Sequence, residues 1–320
     1  MEQQIIGIDL GRGYVKAYTE FNNNKKECMF KSIVGQGRDM EFKNYEEPIY
    51  LEVNNEDYFV GALAEKEADN PTRNSKDDKI TLTAKKLLYA VLSKLAVAEE
   101  VKIMLGVPNK NFRKAVLNEV KECYEDKTII IKDKITGNKK EIKIVEIAIF
   151  RESDSALLYT IAKHKEKTLL EKSVCGMITI GFRTTEISYF DKGMKFVDKF
   201  SKSSEKGNST ALDYVRKKIL ADKKIVKELH EIDSCSDYDD LKRIAYENLY
   251  ENIEQELEGV WTNQPEMKIF IAGGTALKLK SINKNFELVN DAQSVTAKGL
   301  FLVAKNTFKS EGIIIGEKDS

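Results

Sequence analysis

Ile5-Ile6-Gly7-Ile8-Asp9-Leu10-Gly11-Arg12-Gly13-Tyr14-Val15-Lys16-Ala17-Tyr18 is the stretch that decides how this chain is read. A β-rich apolar run ends at a glycine turn, and a second strand-like run begins at Tyr14, so the segment reads as a hairpin. Residues 22–26 form another turn, and 28–34 a third strand. The pattern returns at Cys175-Gly176-Met177-Ile178-Thr179-Ile180-Gly181-Phe182-Arg183-Thr184-Thr185-Glu186-Ile187-Ser188-Tyr189-Phe190. Asp191-Lys192-Gly193 then turns the chain into one more strand over 194–200. Sliding the second segment onto the first places Gly181 on Gly11 at an offset of 170 residues, about half the chain. That offset predicts an internal duplication, two halves that each open with a βββ unit around a cleft.

A chain of 320 residues suits about two domains. Its 52 Lys and Arg balance 52 Asp and Glu, which argues against direct nucleic-acid binding. With 18 glycines and 4 prolines it is neither collagenous nor linker-rich. The polar opening Met1-Glu2-Gln3-Gln4 has no leader character, and no apolar run reaches the ~18 residues of a membrane span, so a cytoplasmic chain is expected. Cys28, Cys123, Cys175 and Cys235 form no CxxC, and the only histidines are His164 and His230, a poor supply for a zinc site. The chemistry must rest on carboxylates, glycines, hydroxyls and Lys/Arg.

Helical spacing of apolar residues predicts helices over 82–95, 110–124, 155–165, 209–221, 238–258 and from 291 or 292 to 307. Strands are expected at 48–53, 58–60, 101–107 (stopped by Pro108) and 268–271, with a hairpin over 128–149. The charged, Asn-rich stretch 65–79 reads as part of an inserted, partly mobile subdomain.

Asp9-x-Gly11-x-x-x-x-Lys16 suits phosphate: glycines let backbone N–H groups approach an anion, and Lys16 supplies a point charge. Asp9 could hold Mg²⁺ through water. Read alone, this is also a plain hairpin turn. Gly181-Phe182-Arg183-Thr184-Thr185 offers a second turn with hydroxyl and guanidinium donors. Ala272-Gly273-Gly274-Thr275-Ala276-Leu277 is strand–GG–helix, a place for close ligand approach or for close packing. Gly207-Asn208-Ser209-Thr210 stands where a helix begins and doubles as an N-cap.

Taken in this order, the motifs resemble the actin/Hsp70/sugar-kinase ATPase superfamily and, within it, bacterial actin-like plasmid-segregation proteins of the ParM type. Tyr58-Phe59-Val60-Gly61-Ala62-Leu63-Ala64 and Leu105-Gly106-Val107-Pro108 favour the ParM side, and Phe150-Arg151-Glu152-Ser153-Asp154-Ser155-Ala156 resembles the start of the first connecting helix. The resemblance implies an α/β, actin-like (ribonuclease H-like) fold. Lobe I would span 1–150, with a subdomain at about 35–80 and 300–320 packing back on it; lobe II would span 151–300, with a subdomain at about 208–265. Gly11, Arg12, Gly13, Tyr14 and Lys16 would hold β/γ-phosphates, with Asp9 near Mg²⁺. Thr179, Gly181, Arg183 and Thr184 would form the second phosphate loop. Gly207, Asn208 and Arg216 or Lys217 would border ribose and base, and Gly273, Gly274, Thr275 and Leu277 would pack on the adenosine. Glu152 would orient the attacking water. The implied cofactor is ATP or GTP with Mg²⁺. The implied partners are other copies of the chain in a filament and an adaptor on plasmid DNA; a small-molecule kinase or a non-polymerising nucleotide-binding module is the alternative. Thr179 stands where the second phosphate loop usually starts with Asp, which leaves binding intact but hydrolysis slow or differently organised. From sequence alone, Thr179→Asp is expected to speed phosphate release.

Overall fold

The computed structural model describes residues 2–41 and 45–308. The chain divides into two units, Met1–Tyr159 with Thr296–Ser320, and Thr160–Val295.

The first unit is built on a ten-stranded sheet. Its strands are β1 (Gln4–Leu10), β2 (Tyr14–Phe21), β3 (Asn24–Lys31), β4 (Ile33–Gln36), β5 (Ile49–Val53), β6 (Glu56–Val60), β7 (Thr72–Arg73), β8 (Glu100–Val107), β9 (Lys127–Asp133) and β10 (Lys139–Arg151). Their order is β3-β2-β1-β8-β10-β9-β5-β6-β4-β7. β1 lies between antiparallel β2 and parallel β8, and nearly all its residues are buried, which is why it reads as an apolar run rather than an alternation. The strands of the 33–73 segment join this same sheet because β5 pairs with β9. Helices α1 (Ala62–Glu67), α2 (Leu82–Leu95) and α3 (Lys114–Tyr124) complete the sequence up to β10. The Thr81 side chain caps α2 by accepting from the Ala84 N–H, and one face of α2, including Leu87, Leu88, Val91 and Leu95, is buried in the core of this unit. Pro108, which has no N–H to donate, ends β8.

In the second unit the strands are β11 (Cys175–Ile180), β12 (Thr185–Asp191), β13 (Lys195–Phe196), β14 (Lys202–Ser204), β15 (Lys268–Ala272) and β16 (Glu287–Leu288), ordered β13-β12-β11-β15-β16, with β14 also paired to β12. β11 is antiparallel to β12 and parallel to β15. The first five strands of this sheet, and the corresponding β3-β2-β1-β8-β10 of the first unit, share one topology: a three-strand antiparallel start extended by parallel strands. The repeat seen in the sequence is therefore a repeat of architecture.

Helices α4 (Glu152–Lys163) and α10 (Val295–Thr307) carry the chain from one unit to the other; α5 (Lys167–Leu170), α6 (Asn208–Lys223), α7 (Leu229–Ser234), α8 (Asp239–Glu258) and α9 (Gly274–Lys278) lie between them in sequence. Ala211, Leu212, Val215 and Ile219 of α6 share a core with Tyr246, Leu249 and Ile253 of α8. In the first unit, Gly7 lets β1 approach α10: a Cβ there would meet the Phe301 nitrogen at 2.4 Å and the Ala297 carbonyl at 2.5 Å. Residues 309–320, the end of the C-terminal segment, lie outside the described residues.

Several element ends differ from the sequence expectations. α3 begins at Lys114 rather than 110, because a separate 3-10 turn at Asn109–Asn111 follows Pro108. α4 begins at Glu152, three residues early, with Glu152 and Asp154 in its first turn, where carboxylates suit the positive end of the helix dipole. α10 begins at Val295, because Asp291 adopts a left-handed φ of 55° and a turn precedes the helix. The strand expected over 194–200 is interrupted: only Lys195–Phe196 pairs, and Asp198–Phe200 is a 3-10 turn.

Candidate functional site

In the first unit, Asp9 and Lys16 are cross-strand partners on the β1–β2 hairpin, so their side chains share a face. The Lys16 ammonium donates to Asp9 Oδ2 at 3.0 Å, and Asp9 is 6% exposed. Gly11 fits tightly between them: a Cβ there would meet the Tyr14 carbonyl at 2.7 Å. The turn is braced from behind, since Ser32 donates its hydroxyl to the Gly11 carbonyl (2.6 Å) and its N–H to the Gly13 carbonyl (2.9 Å). Tyr14 faces outward, exposed.

The 65–79 stretch is tied to this hairpin by specific contacts. Arg12 forms a bidentate pair with Asp77, which Lys110 also approaches at 3.0 Å. Burial pushes the Asp77 carboxyl up, but hydrogen bonds from Arg12 and Lys110 outweigh it and hold the group below the usual Asp range. The Asn74 side chain reaches the Leu10 and Gly11 carbonyls at 3.4 Å. Lys79, 4% exposed, donates to the Leu10 carbonyl at 3.1 Å and stands 3.4 Å from Glu152 Oε1. Glu152 packs on Gly106, where a Cβ would meet its Cγ at 3.0 Å. Gly11, Arg12 and Glu152 are thus tied to the 65–79 stretch through Asn74, Asp77 and Lys79, which sequence reading missed, while Asp9 and Lys16 pair on the same hairpin.

In the second unit the turn is closed by the Gly181 N–H donating to the Thr184 carbonyl at 2.8 Å. The Gly181 carbonyl accepts from the Asn208 N–H (3.2 Å) and the Thr275 hydroxyl (2.8 Å), which ties the turn to the starts of α6 and α9. Gly207 makes the first approach possible, since a Cβ there would meet the Gly181 and Phe182 carbonyls below 3 Å. Gly273 makes the second, at φ +97° with the Ile180 carbonyl 2.2 Å from where its Cβ would be. Asn208 is buried and accepts from the Tyr246 hydroxyl at 2.7 Å. Gly274 follows in the first turn of α9, and Leu277 is 44% exposed, an apolar side chain left facing solvent beside polar turns. Arg183 is half-buried and enters no ion pair among the described residues. Arg216 and Lys217 stand apart from this group: they lie along α6 about 13 Å of helical rise beyond Gly207 and face Asp213.

Thr179 is the cross-strand partner of Glu186, the same register that joins Asp9 to Lys16. Glu186 is 4% exposed, so the second hairpin does present a buried carboxylate, on the strand opposite the expected one. The signal was available: the 170-residue offset carries Lys16 onto Glu186. Among the described residues, no group of three or more His, Cys, Asp or Glu is arranged to hold a metal ion, and no helix is long and apolar enough to cross a membrane.

Residues 7–153 match the family of actin like proteins, N terminal domain. No curated protein sequence matches the chain. Among solved structures, an archaeal actin homologue is similar with a TM-score of 0.80 at 17% identity, over 95% of this chain and 100% of that one. A 15-stranded ParM filament from Clostridium botulinum is similar at 0.81 and 22% identity, over 96% and 100%. ParM of Bacillus thuringiensis, solved with ATP, reaches 0.68 at 14% identity, over 97% and 100%. The fold is actin-like.

Proposed function

We propose that this actin-like chain is a nucleoside triphosphatase that polymerises with copies of itself and segregates plasmid DNA through an adaptor protein. One observation carries the reading: both units contain the same hairpin at the same place in the same strand order, each with a tight glycine turn and a buried carboxylate in one register. A lone glycine hairpin is commonplace, but a duplicated turn, braced by Ser32 in the first unit and by Gly207 and Thr275 in the second, suits a pair of phosphate-binding loops.

Gly11, Arg12, Gly13, Tyr14 and Lys16 would hold β/γ-phosphates, and Gly181, Arg183 and Thr184 would hold them from the second loop. Gly273, Gly274, Thr275 and Leu277 would receive the base and ribose of ATP or GTP, with Gly207 and Asn208. Of the further candidates for the base, Arg216 and Lys217 have the weaker claim, given their distance along α6. The donor set suits a magnesium ion that arrives with the nucleotide, because Asp9 offers one buried carboxylate for an outer-shell contact through water rather than a cage of ligands. Such an ion would neutralise phosphate charge. Glu152 would orient the attacking water. Glu186 would supply the carboxylate that Thr179 lacks.

Self-association is supported by the likeness to filament-forming ParM. The zero formal net charge favours reaching DNA through an adaptor. The test is light scattering and electron microscopy of the purified chain with ATP, GTP and slowly hydrolysed analogues, alongside phosphate release. Nucleotide-dependent filaments are expected. Phosphorylation of an added sugar without polymer would favour the kinase alternative instead.

A further inference from the structure

We infer that Lys79 is the positioning residue that aims the Glu152 carboxylate, holding it to the end of β1. The inference rests on the proposed role of Glu152 in orienting water. Lys79 lies between β7 and α2, in a stretch whose composition suggests a solvated loop, yet it is 4% exposed. Its ammonium donates to the Leu10 carbonyl at 3.1 Å, at the last residue of β1 before the turn. It is also 3.4 Å from Glu152 Oε1, at the first residue of α4.

The lysine is fixed at its backbone as well. The Tyr124 hydroxyl, 1% exposed, donates to the Lys79 carbonyl at 2.6 Å. Nearby, Asn74 and Asp77 anchor the same segment to Leu10, Gly11 and Arg12. Glu152 also packs on Gly106, where an added Cβ would meet its Cγ at 3.0 Å and its Oε1 at 3.5 Å. Burying an ammonium is costly unless it is paired and hydrogen-bonded, and here one acceptor belongs to the phosphate hairpin and the other to the helix that carries Glu152. Lys79 therefore joins the turn and the water-orienting group, and a change at either would be felt at the other.

The test uses the full chain with a fluorescent ATP analogue for affinity and single-turnover phosphate release for rate. Lys79→Met should bind nucleotide within about threefold of the parent but release phosphate at least about tenfold more slowly. Lys79→Arg, which keeps the charge, should recover part of the rate. Lys79→Met combined with Glu152→Gln should be no slower than Glu152→Gln alone, because the two act as one unit. Should Lys79→Met lose its thermal transition, the comparison is made between Lys79→Arg and Lys79→Gln, with the same outcomes required.

A parental rate in the neutral variant overturns the inference, as do rate losses that multiply in the double variant. An affinity loss beyond tenfold with an unchanged rate at saturation also overturns it, by making Lys79 a phosphate ligand. A parent chain that binds nucleotide but hydrolyses none, or binds none, refutes the proposed function and takes this inference with it.

Discussion

Thr179→Asp tests whether the second hairpin already has its carboxylate. Thr179 and Glu186 are directly opposed on β11 and β12, so an Asp at 179 would place two carboxylates on one face. Opposed residues on antiparallel strands stand about 5 Å apart, and two unit charges at that distance repel by about 3 kcal/mol at an effective dielectric near 20. Divided by 1.36 kcal/mol per unit, this raises the shared proton affinity by about two pKa units. The folded pair then binds a proton more readily than the unfolded chain does. The variant should therefore be near parental stability at acid pH and lose stability as pH rises through the raised value.

Urea unfolding at pH 5 and pH 8 measures this directly. The chain has one tryptophan, Trp261, which is 2% exposed in the second unit, so its fluorescence reports on the unit under test. Thr179→Asp should fall about 3 kcal/mol below the parent at pH 8 and recover most of that at pH 5. Thr179→Asn should show no such pH dependence. Adding Glu186→Gln to the aspartate variant should restore stability, and phosphate release in that double variant should match or exceed the parent, since the carboxylate has only crossed from one strand to the other. An aspartate variant as stable as the parent at pH 8 would refute the facing geometry on which the argument depends. Single-turnover phosphate release in Thr179→Asp itself checks the sequence-based expectation of faster hydrolysis, to which Glu186 adds the stability effect worked out above.

Three further outcomes are expected. Lys16→Ala should weaken nucleotide binding by about 1.5–3 kcal/mol, the worth of a charged hydrogen bond, in calorimetric titration; unchanged affinity would remove the first phosphate loop from the site. Gly273→Ala should destabilise the second unit by several kcal/mol (roughly 3 or more), read by Trp261 fluorescence, because φ is +97° and the Ile180 carbonyl occupies the Cβ position. Asp77→Asn should cost stability above pH ~5, with the difference from the parent vanishing as pH falls through the depressed Asp77 value, because a lowered folded pKa stabilises only while the group is ionised; a difference independent of pH would mean that its pairing with Arg12 and Lys110 contributes nothing.

What the sequence made legible was whatever depends on near neighbours along the chain. The hairpin turns show because glycine sits where backbone must crowd, and α2 shows because Leu87, Leu88, Val91 and Leu95 repeat at helical spacing. Element ends were harder, since they turn on single conformations such as the left-handed Asp291, which no periodicity records. Asn74, Asp77 and Lys79 stayed hidden for another reason. Their partners Leu10, Gly11, Arg12 and Glu152 are more than 60 residues away in the chain, and a Lys in a stretch rich in Asn, Asp and Lys looks solvated until tertiary packing buries it. Arg216 and Lys217 are near the glycine motif in sequence, while helical rise sets them about 13 Å along α6, beside Asp213.

Glu186 falls between these cases, and it shows what a duplicated architecture permits. In an antiparallel hairpin, opposed side chains share a face and lie only about 5 Å apart. A charge needed on that face can therefore reside on either strand, and its loss from one is compensated by its gain on the other. The first hairpin carries an acid on its leading strand and a base on its return strand, which neutralise each other at 3.0 Å. The second carries a hydroxyl and then an acid in the same two positions. Each hairpin thus has one carboxylate at this pair of positions, and in the first a lysine stands opposite it. A motif that demands Asp at position 179 reads the second hairpin as defective; a reading that follows the register across the strand finds the acid still there. What the physical site constrains is the charge on a face, and the residue position that delivers it is free to change strands.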